Sequence, residues 1–337
     1  MPGGLNVNAG PLISGTGATI GREFWDTYSQ SYEGENKFVD MVSNPDIPSK
    51  VKNQPEGYFE TVPYPVIWLD GDDIPEKPFS SVQFVIYNRS WGRRLPYNED
   101  DLVYEQTQSL IAKVREFGTH WGTLYARILI QFMTAATDPE LVPGTTLAPD
   151  GAAMYATTAG GVARFGVTDG NLPTGYAAMD SSAEVLDAIA NEVNRAGRFL
   201  DTEGQPLLDP GALSEILIVA PRAYGNVFMQ AFNQSLTQSG PAAAAGNVAV
   251  TNYIMNSGMK ISLWLTPRIT AKAFYIFFPR VNKQPFGKAV VTPIREAYAD
   301  MTNDPQARTS KRFYNQWDSR FGPYIGPCFS TIKVTDA

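Results

Sequence analysis

Residues 100–134 read DDLVYEQTQSLIAKVREFGTHWGTLYARILIQFMT, and the apolar spacing inside them orders the rest of the chain. Leu110, Val114, Phe117, Trp121, Leu124, Tyr125, Ile128 and Phe132 recur mostly in steps of three and four, one stripe of an amphipathic helix. Glu99, Asp100 and Asp101 stand at its start, where the helix dipole favours negative charge. At ~1.5 Å rise per residue this helix spans roughly 50 Å, against ~11 residues for an average globular helix. It is a girder. Gly118 and Gly122, four apart, leave a strip without side chains along one side, where another segment can approach closely.

The girder also carries the only histidine of the chain. His120 falls about 95° from the centre of the stripe, at ~100° per residue, so it flanks the buried face. A nucleophilic or zinc site needs a paired Ser or Cys, or several ligands. The chain has no second histidine and a single cysteine, Cys328. His120 is therefore read as a contact residue beside the helix, and Cys328 as a small buried hydrophobe.

Upstream, residues 58–97 turn to extended structure: YFETVPYPVIWL, the polar tip DGDDIPEKP, then FSSVQFVIYNRSWGRRLPY. Val82, Phe84 and Ile86 alternate with Gln83, Val85 and Tyr87, as a strand requires. A two-stranded excursion buries too little to stand alone, so it implies a partner surface within the chain or on a neighbour. The acids Asp70, Asp72, Asp73 and Glu76 at its tip offer calcium ligands, but the spacing fits no EF-hand loop and matches ordinary turn chemistry. Residues 1–21, rich in Gly, Asn, Thr and Ser, read as a flexible arm. Phe24, Trp25, Tyr28 and Tyr32 then fit one helical face that can dock onto something else.

Downstream, residues 135–180 are dense in Gly, Ala, Thr and Pro and read as irregular. Ser181 and Glu184 make a capping box before a helix carrying Val185, Ile189 and Val193 and ending near Gly197. EILIVAP (215–221) is a buried strand, and Pro221 suits the first position of a helix running to about 236. MKISLWLTPRI and AFYIFFP are further strands of a mixed α and β unit. Residues 311–337 are aromatic, extended and broken by Gly-Pro pairs, so they read as terminal strands.

Composition narrows the function. With 34 Asp+Glu against 27 Lys+Arg the net charge is −7, which argues against a chain-wide basic footprint for nucleic acid or anionic membrane. No basic region precedes an apolar run at the N-terminus, and no run approaches ~18 apolar residues, so neither secretion by a standard signal nor a membrane span is expected. GTGATIG (15–21) misses the G-x-G-x-x-G spacing and lacks a following G-K-[ST]. No pair among the acids is singled out for glycosidase chemistry. No cofactor, metal or catalytic residue is predicted.

The order of parts resembles the major capsid protein of tailed bacteriophages, the Hong Kong 97 type fold, and within it the Mu-like major head subunit family. SWGRRLPYNEDDL (90–102) is similar to that family's passage from extended loop into spine helix. PDGAAMYAT (149–157) resembles the segment after the spine. FLDTEGQPLLDPGALSEILIVAPRAYGNVFMQAF (199–232) and SRFGPYIGP (319–327) resemble its later strand regions.

The resemblance implies an α+β fold: N-terminal arm (1–57), extended β-hairpin loop (58–97), peripheral domain with spine helix (98–180), axial domain (181–305), and C-terminal strands returning to the peripheral domain (306–337). It implies a non-enzymatic shell protein that self-assembles into hexamers and pentamers of an icosahedral virion in the host bacterial cytoplasm. The shell encloses double-stranded DNA without sequence-specific binding and without a membrane. Partners would be further copies of the chain, a separate scaffolding protein, a portal and a decoration protein. Contact residues between subunits would be Phe24, Trp25 and Tyr28 on the arm, Trp68, Asp72, Asp73, Lys77 and Phe79 on the loop, and Arg93 and Arg94 at its base. Lys77 sits where one branch forms a covalent lysine–asparagine cross-link, but no local motif marks a partner for it. An encapsulin-like cargo compartment is the alternative in the same fold, and an α/β enzyme the alternative from another class.

Overall fold

The computed structural model describes residues 9–61, 80–98, 107–135, 141, 147–173, 176, 181–233, 236–239, 248–251, 258–299, 304–310 and 312–335. The first element is α1 (Ala9–Val42), where the sequence predicts a flexible arm up to residue 21. β1 (Ile47–Pro48) leads to β2 (Asn53–Thr61) and β3 (Ser80–Tyr87), which form the predicted antiparallel ribbon. β4 (Arg89–Asn98) follows but leaves the ribbon for another sheet.

The girder forms as two helices in tandem, α2 (Thr107–Gly122) and α3 (Leu124–Thr134); its predicted start at Asp100 lies outside the described residues. Main-chain bonds run through the joint, from Thr123 N to Thr119 O and from Arg127 N to Thr123 O, both 3.0 Å. The hydroxyls of Thr119 and Thr123 also donate back to the carbonyls of Arg115 and Thr119, each at 3.0 Å. Such back-bonding bends helices, and the single predicted rod is jointed at Thr123.

The irregular stretch that follows holds a short hairpin, β5 (Thr158–Ala159) and β6 (Val162–Ala163). Ser181 and Glu184 form the capping box, with Glu184 N donating to Ser181 Oγ at 3.3 Å and Ser181 N to Glu184 Oε2 at 3.1 Å. They open α4 (Ser182–Ala196), which stops at Gly197 as the sequence predicts. β7 (Glu215–Pro221) is the EILIVAP run. Pro221 ends that strand instead of starting a helix, because its ψ of 139° is extended; the proline ring fixes φ and leaves ψ open. A 3-10 turn then leads into α5 (Gly225–Asn233). β8 (Leu236–Ser239) pairs with β9 (Val248–Thr251), and β10 (Lys260–Thr266) and β11 (Ala273–Phe277) follow. The chain closes through β12 (Phe286–Ala299), α6 (Pro305–Ser310), β13 (Arg312–Ile325) and β14 (Thr331–Thr335).

Two four-stranded sheets organise the core. The first runs β1-β12-β13-β4, antiparallel except for β1 beside β12. The second runs β10-β7-β11-β14, parallel only between β10 and β7. A domain boundary at residue 305 does not separate them: β12 belongs with β4, and β14 belongs with β7. Pairings such as Arg312 with Asn98 and Ala273 with Thr335 join residues far apart in sequence, which local patterns do not encode.

Every residue of β7 is buried. Ile216, Ile218 and Ala220 pack with Val185 and Ile189 of α4 and Phe228 of α5, while Leu217 and Val219 join the cluster of Ile128, Leu129 and Met133 from α3. A strand covered on both faces reads as an unbroken apolar run. α3 is the pillar between the sheets, since its cluster also includes Phe286, Phe321 and Ile325 of the first sheet. At the far end of that sheet, α1 and α2 cover one face: Ile20, Phe24, Val114, Phe313 and Trp317 share a cluster and are fully buried. Burying each such side chain contributes about 1.5–3 kcal/mol, enough to hold α1 helical despite its glycines.

Candidate assembly surfaces

The α1 seat tests the arm residues. Phe24 has no exposed surface; it stacks on Trp317 with ring centroids 4.3 Å apart and meets Phe117 at 6.0 Å. Its aromatic face is thus docked inside its own chain, and Phe24 is not available to a neighbouring subunit. Trp25 and Tyr28 are half-buried on the same seam. Trp25 Nε1 donates to Glu296 Oε2 at 3.1 Å, and Asn315 Nδ2 donates to Glu296 Oε1 at 2.8 Å. Burial raises the Tyr28 phenol above its usual range. The helices meet at the glycine strip: a Cβ on Gly118 would lie 2.9 Å from Phe24 O, and one on Gly122 would lie 2.8 Å from Tyr28 O. The close approach predicted for that strip is made by α1. His120, two residues from each glycine and so about half a turn round the helix, is exposed.

The ribbon has one seated and one open face. Ile86 is buried with Ala289 and Tyr324, and Phe84 packs on Tyr324 at 5.5 Å. On the other face Val85 is 46% and Tyr87 60% exposed, with Val51, 49% exposed, close to the ribbon's start. These apolar side chains are what the sequence reading passed over; the signal was present as Val85 and Tyr87 in the outward phase of the strand. Trp68, Asp72, Asp73, Lys77 and Phe79 lie outside the described residues. Arg93 and Arg94 are both exposed on β4 and point to opposite faces of its sheet, as adjacent strand residues must.

Among the described residues no group of three or more His, Cys, Asp and Glu is gathered as for a metal ion, and no helix is long and apolar enough to cross a membrane. A cavity of about 740 Å³ opens between the β5–β6 hairpin and the loops around Leu200, Lys283 and Phe329. Arg164, buried in its wall, is committed to the fold: Nε donates to Asp150 Oδ2 at 2.7 Å, and Nη1 to the Ala153 and Met154 carbonyls and to Asn171 Oδ1. The Cys328 thiol beside it is pushed up to about 12 by burial, so it stays protonated near neutrality and is a poor nucleophile. Glu192, also buried, accepts from Tyr176 Oη and pairs with Arg195 Nε at 3.1 Å; burial raises its carboxyl. These groups brace residues 150–173 and Tyr176 against α4 and the C-terminal strands.

No protein-family model matches the chain, and no curated protein matches it in sequence. Solved structures do. The mature capsid of bacteriophage PhiM1 aligns with 89% of this chain and 86% of its own, at a TM-score of 0.51 and 13% identity. A structure of Mycobacterium phage Patience aligns with 93% of this chain and 86% of its own at 0.50 and 11%. The capsid of an empty GTA particle covers 89% of both chains at 0.50 and 10%. The chain therefore has the mixed helix-and-sheet fold of phage capsid shell proteins, as its sequence resemblance implies.

Proposed function

We propose that the chain is a major capsid protein of a tailed phage, of the Hong Kong 97 type and the Mu-like head subunit pattern, that self-assembles as hexamers and pentamers into an icosahedral shell around double-stranded DNA. The observation that supports this most is the alignment of about nine-tenths of the chain with a phage capsid subunit. The first sheet with α1, α2 and α3 serves as the peripheral unit, and the second sheet with α4 and α5 as the axial unit. Residues 58–97 reach over a neighbouring copy, and the apolar face of Val85 and Tyr87 supplies area for that contact. Trp25, Tyr28, Trp68, Asp72, Asp73, Lys77, Phe79, Arg93 and Arg94 are the contact residues of this reading. Assembly proceeds with a separate scaffolding protein and a portal, in the host cytoplasm, and a decoration protein binds the finished virion.

Deleting residues 66–79 tests the role of the loop. The second sheet should stay folded by circular dichroism while closed shells disappear from sedimentation profiles. Normal shells from the deletion would refute it.

A further inference from the structure

Charge on the first sheet runs against that of the chain. The protein carries a net −7, yet β4, β12 and β13 together hold seven basic residues and two acids. Register sorts them by face. Phe313 pairs with Tyr97, Asn315 with Leu95 and Trp317 with Arg93, on the face that α1 and α2 cover. Arg312 pairs with Asn98, Gln316 with Arg94, Arg320 with Ser90 and Asp318 with Arg295, on the opposite face.

Among the described residues that opposite face is exposed and its cations are all arginine. Arg94, Arg295, Arg312 and Arg320 are exposed. Its one acid among the described residues, Asp318, is held by Arg295 Nε at 2.8 Å, which leaves Arg94, Arg312 and Arg320 as net charge. The Arg94 guanidinium carbon sits 4.6 Å from the centre of the Tyr314 ring, with Nε donating to Gln316 Oε1 at 2.7 Å; neither contact occupies its Nη nitrogens. From Arg312 to Arg320 the row runs roughly 27 Å, at ~3.4 Å per residue.

The chemistry of the face selects its occupant. Contacts between protein copies are enriched in arginine as well as aromatics, but they bury an apolar core that carries little net charge. Here arginine shares the face with Ser90, Gly92, Gln316, Pro96 and a half-buried Tyr314 that Arg94 covers, and the exposed Val85, Tyr87 and Tyr298 all lie elsewhere. The guanidinium fork matches phosphate oxygens in two parallel hydrogen bonds. We infer that the open face of the β4–β13–β12 sheet docks the phosphate backbone of duplex DNA, by charge and without reading bases. The need for a polyanion rests on the face itself; the choice of duplex DNA rests on the shell reading.

The test uses the full chain and a fluorescently labelled 30-base-pair duplex, with affinity measured by anisotropy between 50 and 200 mM salt. Each phosphate neutralised adds ~0.9 to the log–log salt slope, so three arginines produce a slope near 2.7 and roughly a 40-fold fall in affinity over that range. R94Q/R312Q/R320Q should lose most of the slope and at least tenfold affinity at 50 mM, whereas R94K/R312K/R320K should keep the slope. Unchanged binding by the glutamine variant, or no binding by the wild type at 50 mM, overturns the inference. Sedimentation of the same proteins separates it from the shell reading. A glutamine variant that binds DNA but forms no shells makes the face a contact between copies and also overturns it. A wild type that never forms shells, yet shows the predicted salt behaviour, sinks the shell reading and leaves the face standing.

Discussion

Gly122→Ala would place a methyl group 2.8 Å from the Tyr28 carbonyl oxygen and 2.8 Å from Ser31 Cβ. A backbone oxygen cannot rotate away, so α1 and α2 must part around a seam in which Phe24 and Val114 have no exposed surface. Overpacking of this kind costs about 1–3 kcal/mol, and alanine recovers about 1 kcal/mol over glycine in a helix interior. The net expectation is a loss of up to about 2 kcal/mol. Gly118→Ala meets Phe24 O at 2.9 Å and Thr27 Cβ at 3.1 Å, so the double variant should lose more than either single one, up to about 4 kcal/mol. Gly34, in the same helix as Tyr28, has nothing within 4 Å of its added Cβ. There the same change should gain about 0.5–1 kcal/mol. Urea unfolding of the full chain followed by far-UV circular dichroism reads both signs. If Gly122→Ala raises the midpoint as Gly34→Ala does, α1 does not lie on the glycine strip and the packing assigned to residues 9–42 is wrong.

Glu296→Ala leaves the donors of Trp25 and the fully buried Asn315 without their acceptor, and the urea midpoint should fall by the equivalent of about 2 kcal/mol; an unchanged midpoint would show the clasp to be idle. Lys260 Nζ at 2.6 Å and Arg280 Nε at 3.0 Å donate to Glu215 and hold its carboxyl below the usual range. Because the folded value is the lower one, that stability is present above the unfolded carboxylate value of ~4.3 and lost as pH falls through the folded value. Glu215→Gln should flatten the acid limb of a stability profile taken from pH 3 to 7, and an unaltered limb would contradict the pairing. The Cys328 thiol, buried and pushed up to about 12, should react with a disulfide reagent at pH 8 only as fast as the chain opens, and immediately in urea.

Legibility in the sequence followed the reach of each signal. The capping box of Ser181 and Glu184, the EILIVAP strand and the Gly118–Gly122 strip are written in neighbouring residues, and each takes the expected form. The helix over residues 9–21 was hidden because glycine and β-branched residues there have poor helix propensity; its order comes from Ile20 and Phe24 packing on α2 and β13. The departure of β4 from the ribbon and the place of β14 in the second sheet depend on partners more than 50 residues away, and β12 joins the first sheet through β13 partners 15–39 residues away, where no local periodicity reaches. Which aromatic and apolar side chains stay exposed was the least legible. Phe24 has the composition of an interface residue and is core, whereas Val85 and Tyr87 have the phase of surface residues and are apolar.

The most direct measurement is negative-stain electron microscopy of the particles that the full chain forms when expressed with the scaffolding protein proposed as its partner. Closed shells of regular size, built from six-fold and five-fold clusters of one repeating subunit, are the predicted result. Compact monomers alone, with the scaffolding partner present, would contradict it.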